Sequence, residues 1–174
     1  MFKKLLFTLI MIIPIKANAL IEVDITRGNL NPLPIAVSPL SIDENSRKNF
    51  EKILDKKNIG SEISLVVEKN LKTSGLFNPL NKDAFLQAPD IANLKPRFED
   101  WNLIKAQALI TGKVNLVDEK LRVEFRLWDV LAGKEMMALA FTTVPNNWRR
   151  VGHIITDKVY ERLTGEKGYF DTRI

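Results

Sequence analysis

Cysteine is absent from the 174 residues, and histidine occurs once. Without a thiol there is no cysteine nucleophile, no thiolate metal site and no disulfide. A lipid-modified cysteine anchor is excluded on the same ground. A single histidine rules out sites built from several imidazoles and weakens any serine triad. His153 stands about 200° around a helix from Val151, which predicts a surface position away from the apolar stripe. No Gly-x-Gly-x-x-Gly occurs, and Thr111-Gly112-Lys113 lacks the upstream glycine of a phosphate loop. Asp43-Glu44-Asn45 lacks the spacing and the later glutamate of a calcium loop. Asp83, Asp90, Glu99 and Asp100 are acids near loops, and nothing in their spacing sets two of them across a cleft as glycosidic cleavage requires. These absences predict a binding protein rather than an enzyme, with no cofactor and no metal.

Long apolar runs are also scarce. Leu5 to Ile15 is broken by Thr8 and Pro14, and Lys16 follows. That run is too short for a spanning helix, which needs about 20 apolar residues. With Lys3 and Lys4 before it and Ala17-Asn18-Ala19 after it, it reads as a secretory signal peptide. Ala17 and Ala19 are the small residues that set cleavage after position 19. Residues 1–19 are assigned to the signal, and the product is expected in the periplasm. Loss of Lys3, Lys4 and Lys16 takes Lys+Arg from 26 to 23 against 21 acidic residues, a balance of +2. So weak a field does not call for nucleic acid or anionic lipid. Arg149-Arg150 beside Trp148 could stack on a base, but in a near-neutral exported chain it reads as a solvated helix start.

The remaining chain is long enough for one domain with one core. Ile21 to Thr26 alternates apolar and polar residues, which predicts a half-buried strand. Ile35-Ala36-Val37, bounded by prolines, predicts a strand buried on both faces. Asp43 to Asn58 is dense in charge, with Phe50, Ile53 and Leu54 as a narrow stripe, and predicts a short helix on the surface. A helix capped by Ser61 carries Ile63, Val66, Val67 and Leu71 on one face and stops at Gly75. Phe77 to Leu80 is a short extended piece, Ala88-Pro89-Asp90 reads as loop, and Pro96 can open a helix through Ile104. Ala108 to Val117, the run starting at Leu121 and Met136 to Val144 form an antiparallel meander with short turns. A last helix carries Trp148, Val151, Ile155, Val159 and Leu163, with Gly165 as stop. The fold class expected is α/β (α+β): a mixed sheet with an antiparallel C-terminal meander and helices covering one face. After the glycines at 165 and 168, Tyr169 to Ile174 reads either as the start of another element or as a docked C-terminal strand.

Several stretches, in order, resemble the amino-terminal domain of the TolB family of the bacterial Tol-Pal system. They are Ile21-Glu22-Val23-Asp24-Ile25-Thr26-Arg27-Gly28, Pro34-Ile35-Ala36-Val37, Ser74-Gly75-Leu76-Phe77-Asn78-Pro79-Leu80 and Ala108-Leu109-Ile110-Thr111-Gly112-Lys113-Val114. The most specific is the closing part: Trp148-Arg149-Arg150, Gly152-His153, Asp157-Lys158-Val159-Tyr160-Glu161, Leu163-Thr164-Gly165-Glu166 and Gly168 through Ile174.

The resemblance implies a mixed sheet with helices over residues 20–168. It makes 169–174 the start of a linker or strand toward a β-propeller, with Tyr169, Phe170 and Arg173 as inter-domain contacts. It implies that the first mature residues bind the carboxy-terminal domain of the inner-membrane protein TolA. Here those positions are Leu20, Ile21, Glu22, Val23, Asp24, Ile25 and Thr26. A free extended segment can add to a partner's sheet edge, with Ile21, Val23 and Ile25 filling pockets. The propeller is the family's main contact with the lipoprotein Pal, and this chain stops before it, so Pal ranks below TolA as an expected partner. The implied roles are outer-membrane integrity, envelope constriction in cell division and bacteriocin import. The competing reading is a periplasmic cell-wall hydrolase or its regulator, built on acids such as Asp90 and Asp100.

Overall fold

A computed structural model describes residues 21–23, 31–56 and 58–172. Its centre is a six-stranded mixed sheet with main strand order β3-β1-β4-β5-β6. The strands are β1 (Leu33–Val37), β2 (Ser41–Ile42), β3 (Phe77–Pro79), β4 (Ala108–Val117), β5 (Lys120–Asp129) and β6 (Lys134–Thr143). β1 runs parallel to β3 and β4, and the short β2 also pairs parallel with β4. β4, β5 and β6 form the expected antiparallel meander. Its first turn is tight because Asp118 and Glu119 both take positive φ, 48° and 59°, a backbone matched to the twist of a two-residue hairpin.

The helices are α1 (Glu44–Leu54), α2 (Ile59–Thr73), α3 (Pro89–Leu94), α4 (Phe98–Leu103) and α5 (Trp148–Thr164). They cover both faces of the sheet, not the one face expected. On the first face α1, α2 and α5 pack on Ile35, Val37, Ile110, Val114 and the inward residues of β5. On the second face α3, α4 and their loops pack on Ala36 and Leu109 around Trp101. β5 alternates strictly: Leu121, Val123, Phe125 and Leu127 are buried, while Arg122, Glu124, Arg126 and Trp128 are half-buried opposite. Ile35, Ala36 and Val37 are buried on both sides, as their proline-bounded run predicts.

Several local expectations are corrected. Asn58, not Ser61, caps α2; its side chain accepts from the Ser61 amide at 3.3 Å. Ala88-Pro89-Asp90 is not loop throughout, because Pro89 opens α3, where a missing amide costs a helix nothing. α4 starts at Phe98 rather than Pro96. α1 is not a purely superficial helix: Phe50 is 0% exposed in the first core, although Ile53 is half exposed. Of the strand expected at 21–26, residues 21–23 have no place in the sheet, and 24–26 lie outside the described residues.

Buried polar side chains join the layers. The Ser64 hydroxyl, buried in α2, accepts from Leu40 N at 3.0 Å and lies 3.0 Å from the carbonyl oxygens of Ser38 and Gly60. Gln87 ties the second face together. Its Oε1 accepts from Arg97 N and Trp101 Nε1, and its Nε2 donates to the Lys95 carbonyl, all at 3.0 Å.

Candidate functional site

Both described ends of the chain lie on α5. A helix leaves its last carbonyls without internal partners. Leu163 O is one of them, and the Val23 amide donates to it at 2.7 Å. The Val23 side chain is buried in the first core, while Glu22 is exposed and Ile21 is half-buried. One residue in, one out is the alternation read from the sequence, realised on a helix end instead of a sheet. The Ile21 amide donates to Asp129 Oδ2 at 3.3 Å, and Asp129 Oδ1 accepts from Ala132 N at 2.8 Å in the β5–β6 turn.

Beside this segment is a groove of about 450 Å³, lined by Ile21, Glu22, Met137, Lys158, Glu161 and Arg162. Lys158 and Glu161 pair at 2.9 Å. Their mutual hydrogen bond holds the ammonium above its ordinary pKa and the carboxyl below its own. Both side chains are about half exposed, so the pair shapes the groove wall more than it stabilises the fold. Arg162 Nε reaches the Met136 carbonyl at 3.4 Å, joining α5 to the edge strand β6.

The other end is held further up the helix. Asp157 accepts from Phe170 N at 2.7 Å and from Asp171 N at 3.0 Å. Arg150 grips Asp171 through Nε and Nη2 at 3.0 to 3.2 Å. Tyr169 and Phe170 meet the Tyr160 ring edge-on at 5.5 and 5.8 Å, and Tyr160 meets Phe77 at 6.2 Å. Burial, first of all, pushes the Tyr160 hydroxyl pKa up. Gly168 passes so close to α5 that a Cβ there would lie 2.4 Å from Asp157 Cα.

Of the residues singled out from sequence, Ile21, Glu22 and Val23 thus share one site, and Tyr169 and Phe170 share another on the same helix. Leu20, Asp24, Ile25, Thr26, Arg173, Ala17 and Ala19 lie outside the described residues. His153 is not on the free surface: it is half-buried, with Nδ1 2.9 Å from Asn70 Nδ2 across the α2–α5 joint. Trp148 is buried, with Lys56 and Arg149 over its ring at 5.2 and 4.8 Å, so it is no platform for a base. Asp83, Asp90 and Glu99 are exposed, and Asp100 is bound by Arg97 at 2.7 Å. No group of three or more potential metal ligands occurs among the described residues. No described helix is long and apolar enough to cross a membrane. Sequence reading missed Asp129, Asp157 and the Leu163 carbonyl. Only the turn residues after Asp129 hinted at one of them.

The fold and site define a two-faced α/β domain with an N-terminal segment docked on its last helix. Residues 21–136 match the family model for the TolB amino-terminal domain. The chain belongs to that family. It is 82% identical over all 174 residues to the Tol-Pal system protein TolB of Pelagibacter ubique (strain HTCC1062), of which it covers 39%. It therefore spans well under two thirds of that relative's length. Its fold is similar to that of TolB from Acinetobacter baumannii, with a TM-score of 0.64 at 21% identity, over 81% of this chain and 30% of that one.

Proposed function

We propose that this domain is a protein-binding, non-catalytic part of the Tol-Pal envelope system, acting in the periplasm after its signal is removed. On this reading the segment Leu20 to Thr26 binds the TolA carboxy-terminal domain by leaving α5 and adding as a strand to the partner. Roles in outer-membrane integrity, division constriction and bacteriocin import follow from membership of that system.

The observation that carries the reading is how residues 21–23 are held. They contribute no rung to the sheet, and two backbone hydrogen bonds and the Val23 side chain secure them. Their release breaks no ladder among the described residues; it opens the Val23 slot and uncovers Ile21, which also packs against the first core. Burying one valine is worth about 1.5–3 kcal/mol, an amount that a partner strand burying Val23 again can offset.

The test is calorimetric titration of residues 20–174 and 31–174 with the TolA carboxy-terminal domain of the same organism. Binding by the first and not the second is expected; equal binding by both refutes the assignment. Val23→Asp should likewise abolish binding while the sheet stays folded.

A further inference from the structure

We propose that β6 is an interface between two copies of this chain, joined edge to edge as antiparallel strands about a two-fold axis at Leu139. It shares with the N-terminal segment only the groove at Met137.

β6 ends the sheet among the described residues. A sheet edge carries unpaired amides and carbonyls that can template another strand, and proteins blunt such edges with short strands, proline, charge or bulges. The opposite edge is blunted in this way, since β3 has three residues and ends at Pro79. β6 has ten residues, and none of them is buried. Its two charges, Lys134 and Glu135, stand at its start. A bulge follows at once: Met136 is the extra residue between the pairs Trp128–Glu135 and Leu127–Met137. Arg162 covers the Met136 carbonyl. From Met137 to Thr143 the strand has no charge, no proline and no glycine. Among the described residues, no hydrogen bond reaches the outward amides and carbonyls of this stretch.

The order of side chains selects a second copy as the occupant. Met137, Leu139 and Phe141 stand opposite Leu127, Phe125 and Val123 of β5, on the face of the first core. Leu139 is 37% exposed. A two-fold axis there sets Leu139 against its own equivalent and Met137 against Phe141 of the second copy, a sulfur–aromatic contact. Ala138 then faces Ala140 on the other side, where nothing bulky obstructs the approach. Moving the axis one residue either way sets Phe141 against Glu135, or Met137 against Thr143. The groove of about 450 Å³ beside Met137 leaves room for the incoming ring. The charges agree with this arrangement. Antiparallel pairing puts each copy's Lys134 and Glu135 past the neutral end of the other, more than about 30 Å from their equivalents. A parallel pair would set like charges side by side, which is unfavourable. One ladder buries much less than the about 800 Å² per partner of a standard interface, so the dimer is weak and forms with concentration.

The exported chain is followed by sedimentation equilibrium from micromolar to millimolar concentration, with hydrogen exchange of the β6 amides. Expected is a reversible monomer–dimer equilibrium, with β6 exchange slowing as the dimer fills. Leu139→Lys and Leu139→Glu each put like charges on the axis and should weaken association by roughly a hundredfold. A one-to-one mixture of the two variants sets opposite charges on the axis and should regain the dimer. Circular dichroism checks that both keep the fold; should either unfold, wild-type β6 exchange decides alone. A chain that stays monomeric throughout overturns the proposal. So does a dimer that Leu139→Lys leaves intact, or one whose β6 exchange is the same at every concentration, since association then uses another surface. A mixture no tighter than either variant alone overturns the axis at Leu139. TolA takes no part in the readout.

Discussion

At the residue scale, single carboxylates hold the ends of elements. Asp43 caps α1 by accepting from Ser46 N at 2.9 Å. Hydrogen bonds from Ser46 hold its pKa below the ordinary carboxylate value. A depressed folded pKa means stability that is present above the unfolded value and lost as pH falls through the folded one. Asp43→Ala should therefore cost about 1 kcal/mol at neutral pH, and the gap between wild type and variant should shrink below about pH 4. Urea denaturation at the two pH values checks this. Asp157 plays the same part for the chain after α5. Asp157→Ala should free residues 169–172 to proteolysis after Tyr169 or Phe170 while the melting temperature of the body shifts by only a few degrees. Limited digestion followed by mass spectrometry reads that outcome. Neither role was legible beforehand, since Asp157 meets the amides of residues 170 and 171 only once the chain doubles back past Gly168.

At the element scale, α2 and α5 form the main helix pair of the first face. Their approach depends on Gly152: a Cβ there would lie 2.8 Å from Val66 Cγ1. Gly152→Val must push the helices apart, and overpacking of this kind costs about 1–3 kcal/mol. Thermal unfolding should show the loss, and Val66→Ala in the same chain should restore part of it. The meander was the most legible part of the fold, because β5 repeats with period two for its full length and its turns carry Asp118-Glu119 and Gly133. β2 was not legible, because Ser41–Ile42 is two residues long and exists only by pairing with β4. The helical start at Pro89 was hidden by a loop-like Ala-Pro-Asp run.

At the scale of the whole molecule, the sheet separates two cores. Leu71 lies in the first and Trp101 in the second, 0% and 1% exposed. Leu71→Ala should cost about 2–5 kcal/mol and Trp101→Ala about 3–5 kcal/mol. With no shared partners, the two losses should add to within about 0.5 kcal/mol. A coupling well above that, in a double-mutant cycle, would show that the sheet transmits strain between its faces. Gln87 adds to the Trp101 loss, since its carbonyl oxygen would lose the indole donor while keeping the Arg97 amide.

The sequence by itself determined the periodic features. The β5 alternation, the apolar stripes of α2 and α5, the turn chemistry and the family resemblance all depend on residues close together in the chain. Tertiary structure alone decided that helices cover both faces, because Trp101 meets Phe85 and Gln87 only when the α3–α4 excursion folds back. It also decided that Ile21 to Val23 rest on α5 instead of pairing in the sheet. Alternation specifies which side chains are buried, but an extended segment has the same pattern whether its amides meet a strand or the free carbonyls of a helix end. That choice lies with Leu163 and Asp129, which stand more than a hundred residues away along the chain.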